Sequence, residues 1–217
     1  MTTLRIAIDG PAAAGKSTIA KRVAKKLGYL YIDTGAMYRA VTLHTLKHGD
    51  DSIENIEEDV TITFDENDEV YLNDVNVSKE IRSKEVTQNV SRISSLEKVR
   101  TYLVNMQRKI SENANVVMDG RDIGTTVLPD AEIKVFMQAD PKVRAERRLK
   151  EEQVRGNNVS LETLTQEIIT RDEIDSTREI SPLVKADDAI VLDTSDLTID
   201  EVEKYIIELV NIKMEAR

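Results

Sequence analysis

The stretch IAIDGPAAAGKST, residues 6–18, constrains this chain more than any other part of it. Gly10, Gly15, Lys16 and Ser17 satisfy the spacing G-x-x-x-x-G-K-[ST], a tight loop that joins a strand to a helix. Such a loop aims successive backbone N–H groups at phosphate oxygens, and the dipole of the following helix adds positive potential. Gly10, Pro11, Ala12, Ala13, Ala14, Gly15, Lys16, Ser17 and Thr18 are therefore candidate contacts for a nucleoside triphosphate. Lys16 would reach the outer phosphates, and the Ser17 hydroxyl would ligate magnesium directly. Alanines at 12–14, where glycine often stands, narrow the backbone conformations open to the loop.

The apolar run that ends at Asp9 is followed by four more: GYLYID (28–33), ANVVMDG (114–120), EIKVFMQA (132–139) and AIVLDT (189–194). Helical periodicity lies between most of them, and strands that alternate with helices predict a parallel sheet covered on both faces. The expected fold class is α/β, a three-layer α/β/α arrangement around a five-stranded parallel sheet. Ile19, Ala20, Val23, Ala24 and Leu27 mark the first helix, which Gly28 is placed to end. Two stretches break the alternation. Strand-like patterning around DEND and ND predicts a small antiparallel insertion at about 60–85. Two charged helical patterns joined by RGNN predict an arginine-rich lid at about 141–180. Both belong to one domain spanning 1–217.

Composition excludes several classes. A formal net charge of −10 argues against a nucleic-acid surface, which needs a basic face. There is no cysteine, hence no disulfide framework or thiolate metal site, which suits a reducing cytoplasm. No apolar run approaches a membrane span, and MTTLRIAIDG enters its first strand without a leader. His44 and His48 are spaced as a metal pair would be, but no third ligand is evident, so a packing role is expected. DENDE lacks the glycine and the closing glutamate of a calcium loop and reads as a hairpin turn.

Three further segments bear on where a phosphoryl group would go. DTGAMYR (33–39) places Arg39 just inside a helix after the second strand. DGRD (119–122) projects Arg121 and Asp122 from the end of the third strand, with Asp119 positioned to support magnesium through water. In RDEIDSTR (171–178), Arg171, Asp175 and Arg178 fall on one helical face at i, i+4 and i+7. Arginines at strand ends beside a phosphate loop suit bidentate capture of phosphate, and guanidinium groups stabilise the charge of phosphoryl transfer. A guanine-specifying N/T-K-x-D motif is missing, which disfavours a GTPase switch.

Taken in order, IDGPAAAGKST, DTGAMYR, EIRSKEV, DGRDIGTTVLPDA and RDEIDSTREISPL resemble the bacterial cytidylate kinase family, of the nucleoside monophosphate kinase fold among phosphate-loop NTPases. The resemblance runs nearly end to end. It implies transfer of the γ-phosphoryl of MgATP to CMP, and to dCMP, giving ADP and CDP. It implies a base read by Ser91, Arg100 and Asp122, a sugar held by Arg171 and Asp175, and an acceptor phosphate held by Arg39, Arg121 and Arg178. Thr34 and Gly120 join that acceptor set, and Arg148 and Arg155 are assigned to the donor side. Lys16, Arg121 and Arg178 would be catalytic, with Mg²⁺ as cofactor. A cytoplasmic monomer acting on small molecules, apart from nucleic acid and membrane, follows. Two alternatives stay open: a kinase for UMP, AMP or dephospho-coenzyme A on the same fold, and a non-catalytic ATP-binding module.

Overall fold

The computed structural model describes residues 3–154 and 156–216. In chain order the strands are β1 (Arg5–Asp9), β2 (Leu30–Asp33), β3 (Ile62–Phe64), β4 (Val70–Leu72), β5 (Val75–Asn76), β6 (Val116–Gly120), β7 (Ile133–Gln138) and β8 (Ile190–Asp193). The helices are α1 (Lys16–Leu27), α2 (Thr34–His48), α3 (Ile56–Asp59), α4 (Lys84–Ser94), α5 (Glu97–Ser111), α6 (Pro141–Val154), α7 (Leu161–Thr177) and α8 (Ile199–Glu215). Two compact units divide the chain. The larger holds the residues up to Ile32 together with those from Asn113 onward, and the smaller is Asp33–Glu112.

In the larger unit all five expected strands form one parallel sheet, in the order β2-β6-β1-β7-β8. β1 lies at its centre, with Ile8 opposite Asp119 on β6 and Asp9 opposite Phe136 on β7. Ile6 and Ile8 are fully buried, as befits a strand covered on both faces. The register brings the carboxyl ends of β1 and β6 to the same sheet edge, the edge where open α/β sheets bind ligands. The core joins β1, β6 and β7 to the apolar stripes of α1 (Ile19, Val23) and α8 (Val202, Ile206, Val210). Burying each such aliphatic side chain stabilises the fold by roughly 1.5–3 kcal/mol. α1 ends at Gly28, whose φ of 69° leaves the Tyr29 N–H to bond the Ala24 carbonyl. α8 begins with a capping box between Thr198 and Glu201.

The smaller unit contains a three-stranded antiparallel sheet, β3-β4-β5. Its first turn is the DENDE segment, where Asp65 Oδ1 accepts from the N–H groups of Asn67 and Glu69. Its second is the pair Asn73-Asp74, both at positive φ, as a two-residue hairpin turn requires. α2, α4 and α5 pack together around Met37, Val90, Ile93 and Leu103. Among the described residues no helix is long and apolar enough to cross a membrane.

Candidate active site

The loop between β1 and α1 is held by its backbone. Gly10 has φ of 150°, and a Cβ there would lie 2.0 Å from the Met137 carbonyl oxygen, so only glycine fits. Gly15 caps α1 at φ of 87°. Ala13 also sits in the left-handed region, at φ of 57°, a conformation that strains a residue with a Cβ. Lys16 opens α1 with its side chain buried, its Nζ donating to the Pro11 carbonyl at 2.7 Å. Burial, then the nearby Arg121 guanidinium, push the Lys16 ammonium down to about 7, against the opposing pull of Asp119 and Asp9.

Ser17 Oγ donates to Asp119 Oδ2 at 2.7 Å, and Tyr31 Oη donates to Asp119 Oδ1 at 2.9 Å. The side chains expected to serve magnesium are thus already joined. A hydroxyl and a carboxylate are the oxygen donors a hard cation takes, so the pair fits Mg²⁺. Among the described residues there is no group of three His, Asp or Glu side chains able to hold a metal by themselves.

Beyond β6, residues Ile123–Val127 form a turn of π-helix that presents Asp122 at its start. Asp9 at the end of β1 holds that turn, its two carboxylate oxygens accepting from the N–H groups of Ile123 at 2.8 Å and Gly124 at 2.7 Å. Burial raises the Asp9 carboxyl to about 6 even though those two bonds oppose the shift. Asp122 is buried and lies 3.6 Å from Arg178 Nη2. Arg121 Nε donates to Asp175 Oδ2 at 2.9 Å, and Arg171 Nε stands 4.0 Å from the same oxygen. Burial would raise the Asp175 carboxyl, but Arg121, Arg171 and Arg178 together hold it below its ordinary value. Removal from water and the neighbouring Arg121 push Arg171 down to about 10. Behind burial, Arg121 disfavours the charge of both Lys16 and Arg171, and Arg171 that of Lys16.

Family comparison places this chemistry. A family model described as cytidylate kinase matches residues 6–212. The chain belongs to the cytidylate kinase family. It is 51% identical over 214 residues to a cytidylate kinase of Acholeplasma laidlawii, covering 97% of this chain and 96% of that one. It is 52% identical to a cytidylate kinase of Bacillus cereus, with 96% of each chain covered. A shikimate kinase structure from Bacteroides thetaiotaomicron shares the fold at a TM-score of 0.51 and 17% identity, covering 97% of this chain and 99% of that one.

Family membership leaves the individual side chains to be located. Arg178 departs from the expected helical face: α7 ends at Thr177, and Arg178 is its extended C-cap at φ −60°, ψ 144°. Pro182 disfavours helical backbone at the residue before it, and Ser181 takes φ of 50°. The Arg178 side chain folds back so that its Nε donates to the Ser181 carbonyl at 2.7 Å. Arg148 pairs with Glu151 and Glu152 of its own helix, and Arg155 lies outside the described residues. Gly120 is the buried last residue of β6. A cavity of about 320 Å³ opens beside Ala14, Gly15 and Thr18, and Arg147 rather than Arg148 is among the residues that line it. Arg147 also reaches the Thr194 carbonyl and hydroxyl.

In the smaller unit, Thr34 is the buried first residue of α2, and Arg39 Nη1 donates to Thr87 Oγ1 at 3.0 Å and to the Ile81 carbonyl. Arg100 is buried over the Tyr38 ring at 5.2 Å and donates to the Ser94 carbonyl. Ser94 Oγ in turn donates to the Ser91 carbonyl. Ser91 and Arg100 thus share one local network. The His44 and His48 rings lie 4.5 Å apart on α2, and burial lowers the His44 pKa. Sequence reasoning passed over Asp9, Tyr31 and Asp172. An acidic residue ending an apolar strand just before the loop glycine was the available signal for Asp9. Nothing local marks the other two.

Proposed function

We propose that the chain is a cytidylate kinase, an ATP-dependent nucleoside monophosphate kinase that moves the γ-phosphoryl of ATP to CMP and dCMP, releasing ADP and CDP or dCDP. The observation that carries this reading is that the Arg121 and Arg171 guanidiniums stand close enough to the phosphate loop to disfavour the charge of its buried Lys16. Two phosphate-bearing ligands would bring further anionic oxygens to these cations. Loop residues 10–18 take the donor phosphates, and the cavity beside Thr18 and Arg147 suits the donor nucleoside. Arg148 and Arg155 remain assigned to the donor side by family resemblance.

For the acceptor, Arg121 and Arg178 hold the phosphate, and Arg171 and Asp175 hold the sugar next to Gly120. Asp122 accepts from the exocyclic amino group of cytosine and repels the carbonyl that uracil carries there. By family resemblance alone, Arg39 is assigned to the phosphate, Ser91 and Arg100 to the base, and Thr34 to a hydroxyl contact. The acceptor phosphate is already an oxyanion near neutral pH, so no strong general base is needed. Lys16, Arg121 and Arg178 position the reacting groups and stabilise charge on the equatorial oxygens. Ser17 directly, and Asp119 through water, would hold Mg²⁺, which neutralises phosphate charge when bound with ATP. The setting is the cytoplasm, and the protein acts as a monomer without nucleic acid or membrane.

ADP release with MgATP and a panel of CMP, dCMP, UMP, AMP and dephospho-coenzyme A tests the proposal. CMP should lead, with dCMP comparable or somewhat behind. Another acceptor in the lead would overturn the base-reading assignments, and release unaffected by any acceptor would overturn the kinase reading.

A further inference from the structure

One residue of the phosphate loop is gripped by its backbone from outside the loop. The N–H of Ala12 donates to Asp172 Oδ1 at 3.1 Å, while its carbonyl accepts from Arg144 Nη1 at 2.9 Å. The two gripping side chains are themselves paired, Arg144 Nη1 lying 2.6 Å from Asp172 Oδ2. Arg144 is 4% exposed and is anchored a third time by its Nε on the Ala139 carbonyl at 2.9 Å. The next residue, Ala13, has a left-handed φ that an L side chain adopts only when its surroundings impose it. Its methyl packs against the small core of α6 and α7 built from Ala145, Leu164 and Ile168.

We infer that Arg144 and Asp172 form a clamp that sets the conformation of the phosphate loop, and so are positioning residues for the nucleotide donor. The inference rests on the assignment of this loop to the donor phosphates. The charge arithmetic favours it. A lone carboxylate on a loop N–H would oppose an incoming polyphosphate, but the close guanidinium neutralises it and leaves the loop's remaining N–H groups for the ligand. The pair joins two helices to the two peptide groups that flank Ala12. Asp172 follows Arg171 and precedes Asp175 on α7, so the helix proposed to hold the acceptor sugar also fixes the donor loop. Arg144 comes from α6.

Calorimetric titration of the full chain with MgADP, and separately with CMP, tests the clamp in Asp172→Ala and Asp172→Asn variants. Asp172→Ala should weaken MgADP binding about tenfold, as expected when a buried charge-assisted hydrogen-bond pair is broken, and change CMP binding less than about twofold. Asp172→Asn keeps an acceptor for the Ala12 N–H, so it should recover most of the loss. If the alanine variant does not fold, the asparagine variant decides, with an expected loss of about threefold for MgADP alone. MgADP binding unchanged in whichever variant decides, or equal losses for both ligands with a lowered Tm, would overturn the clamp. If the unaltered chain bound no MgADP, the donor assignment would fail and the clamp with it.

Discussion

The phosphate loop and the arginine cluster beyond β6 belong to one unit and are built on opposite principles. The loop is determined by its own backbone and its close neighbours. Gly10 admits no Cβ, the Ala12 N–H and carbonyl are both bonded from outside the loop, and Lys16 is tied to Pro11. The cluster is a buried assembly of opposite charges. Arg121, Arg171 and Arg178 gather around Asp175 and Asp122, and Arg121 depresses both Lys16 and Arg171. One region is fixed by bonds to its backbone, and the other by side-chain charges that anionic ligands would join. Preorganised dipoles and desolvated cations are complementary ways of stabilising charge that develops during phosphoryl transfer.

Substitutions should separate the two. Arg178→Ala removes a cation from the cluster and should lower kcat on the order of 10²–10³-fold, with a fall in Tm as well, since its buried ion pair with Asp122 is lost. Near-normal turnover would remove Arg178 from the catalytic group. Gly10→Ala attacks the loop instead. The added methyl must displace the Met137 carbonyl, at a cost of about 1–3 kcal/mol, and should appear as a lowered Tm together with weakened MgADP binding. Asp122→Ala should erode the preference for CMP over UMP by about tenfold while leaving MgADP affinity nearly intact, and equal losses for all ligands would contradict the base-reading role. The smallest effect is expected at Ala13. Ala13→Gly relieves the left-handed strain by about 1 kcal/mol but loses a methyl packed on the α6–α7 core, so thermal unfolding should move by only a few degrees.

The difference between the regions also explains what could be read in advance. The loop is contiguous, so its residues, the strand before it and the helix after it were all legible in residues 6–28. The five sheet strands were legible too, because each is a short apolar run of the kind a doubly covered parallel sheet needs. The arginines of DGRD and RDEIDSTR stood out as residue types, and family likeness supplied their roles. Their pairings depend on tertiary register, and no spacing rule gives them. The helical-face reading of Arg178 falls one residue short, since α7 ends at Thr177 and Arg178 is its extended C-cap. Asp172 was illegible as a site residue for a related reason, and Asp9 was marked only by its place at the end of an apolar strand. Each acts on the backbone N–H of a distant segment, at Gly124 and at Ala12, and backbone groups leave no mark in a sequence.

The central claim is that the cation cluster is completed by the phosphates of its ligands, and Lys16 offers the most direct reading of it. Burial and the neighbouring Arg121 lower the Lys16 pKa to about 7, and phosphate bound beside it would favour the protonated form. MgADP binding near neutral pH should therefore be accompanied by proton uptake, and affinity should fall as pH rises through 7 to 8. Calorimetry in two buffers of different ionisation enthalpy measures the uptake, and Lys16→Met should abolish it. Measurable uptake, lost in the variant, is the predicted result. Binding with no proton uptake and no loss of affinity between pH 7 and 8 would contradict the account.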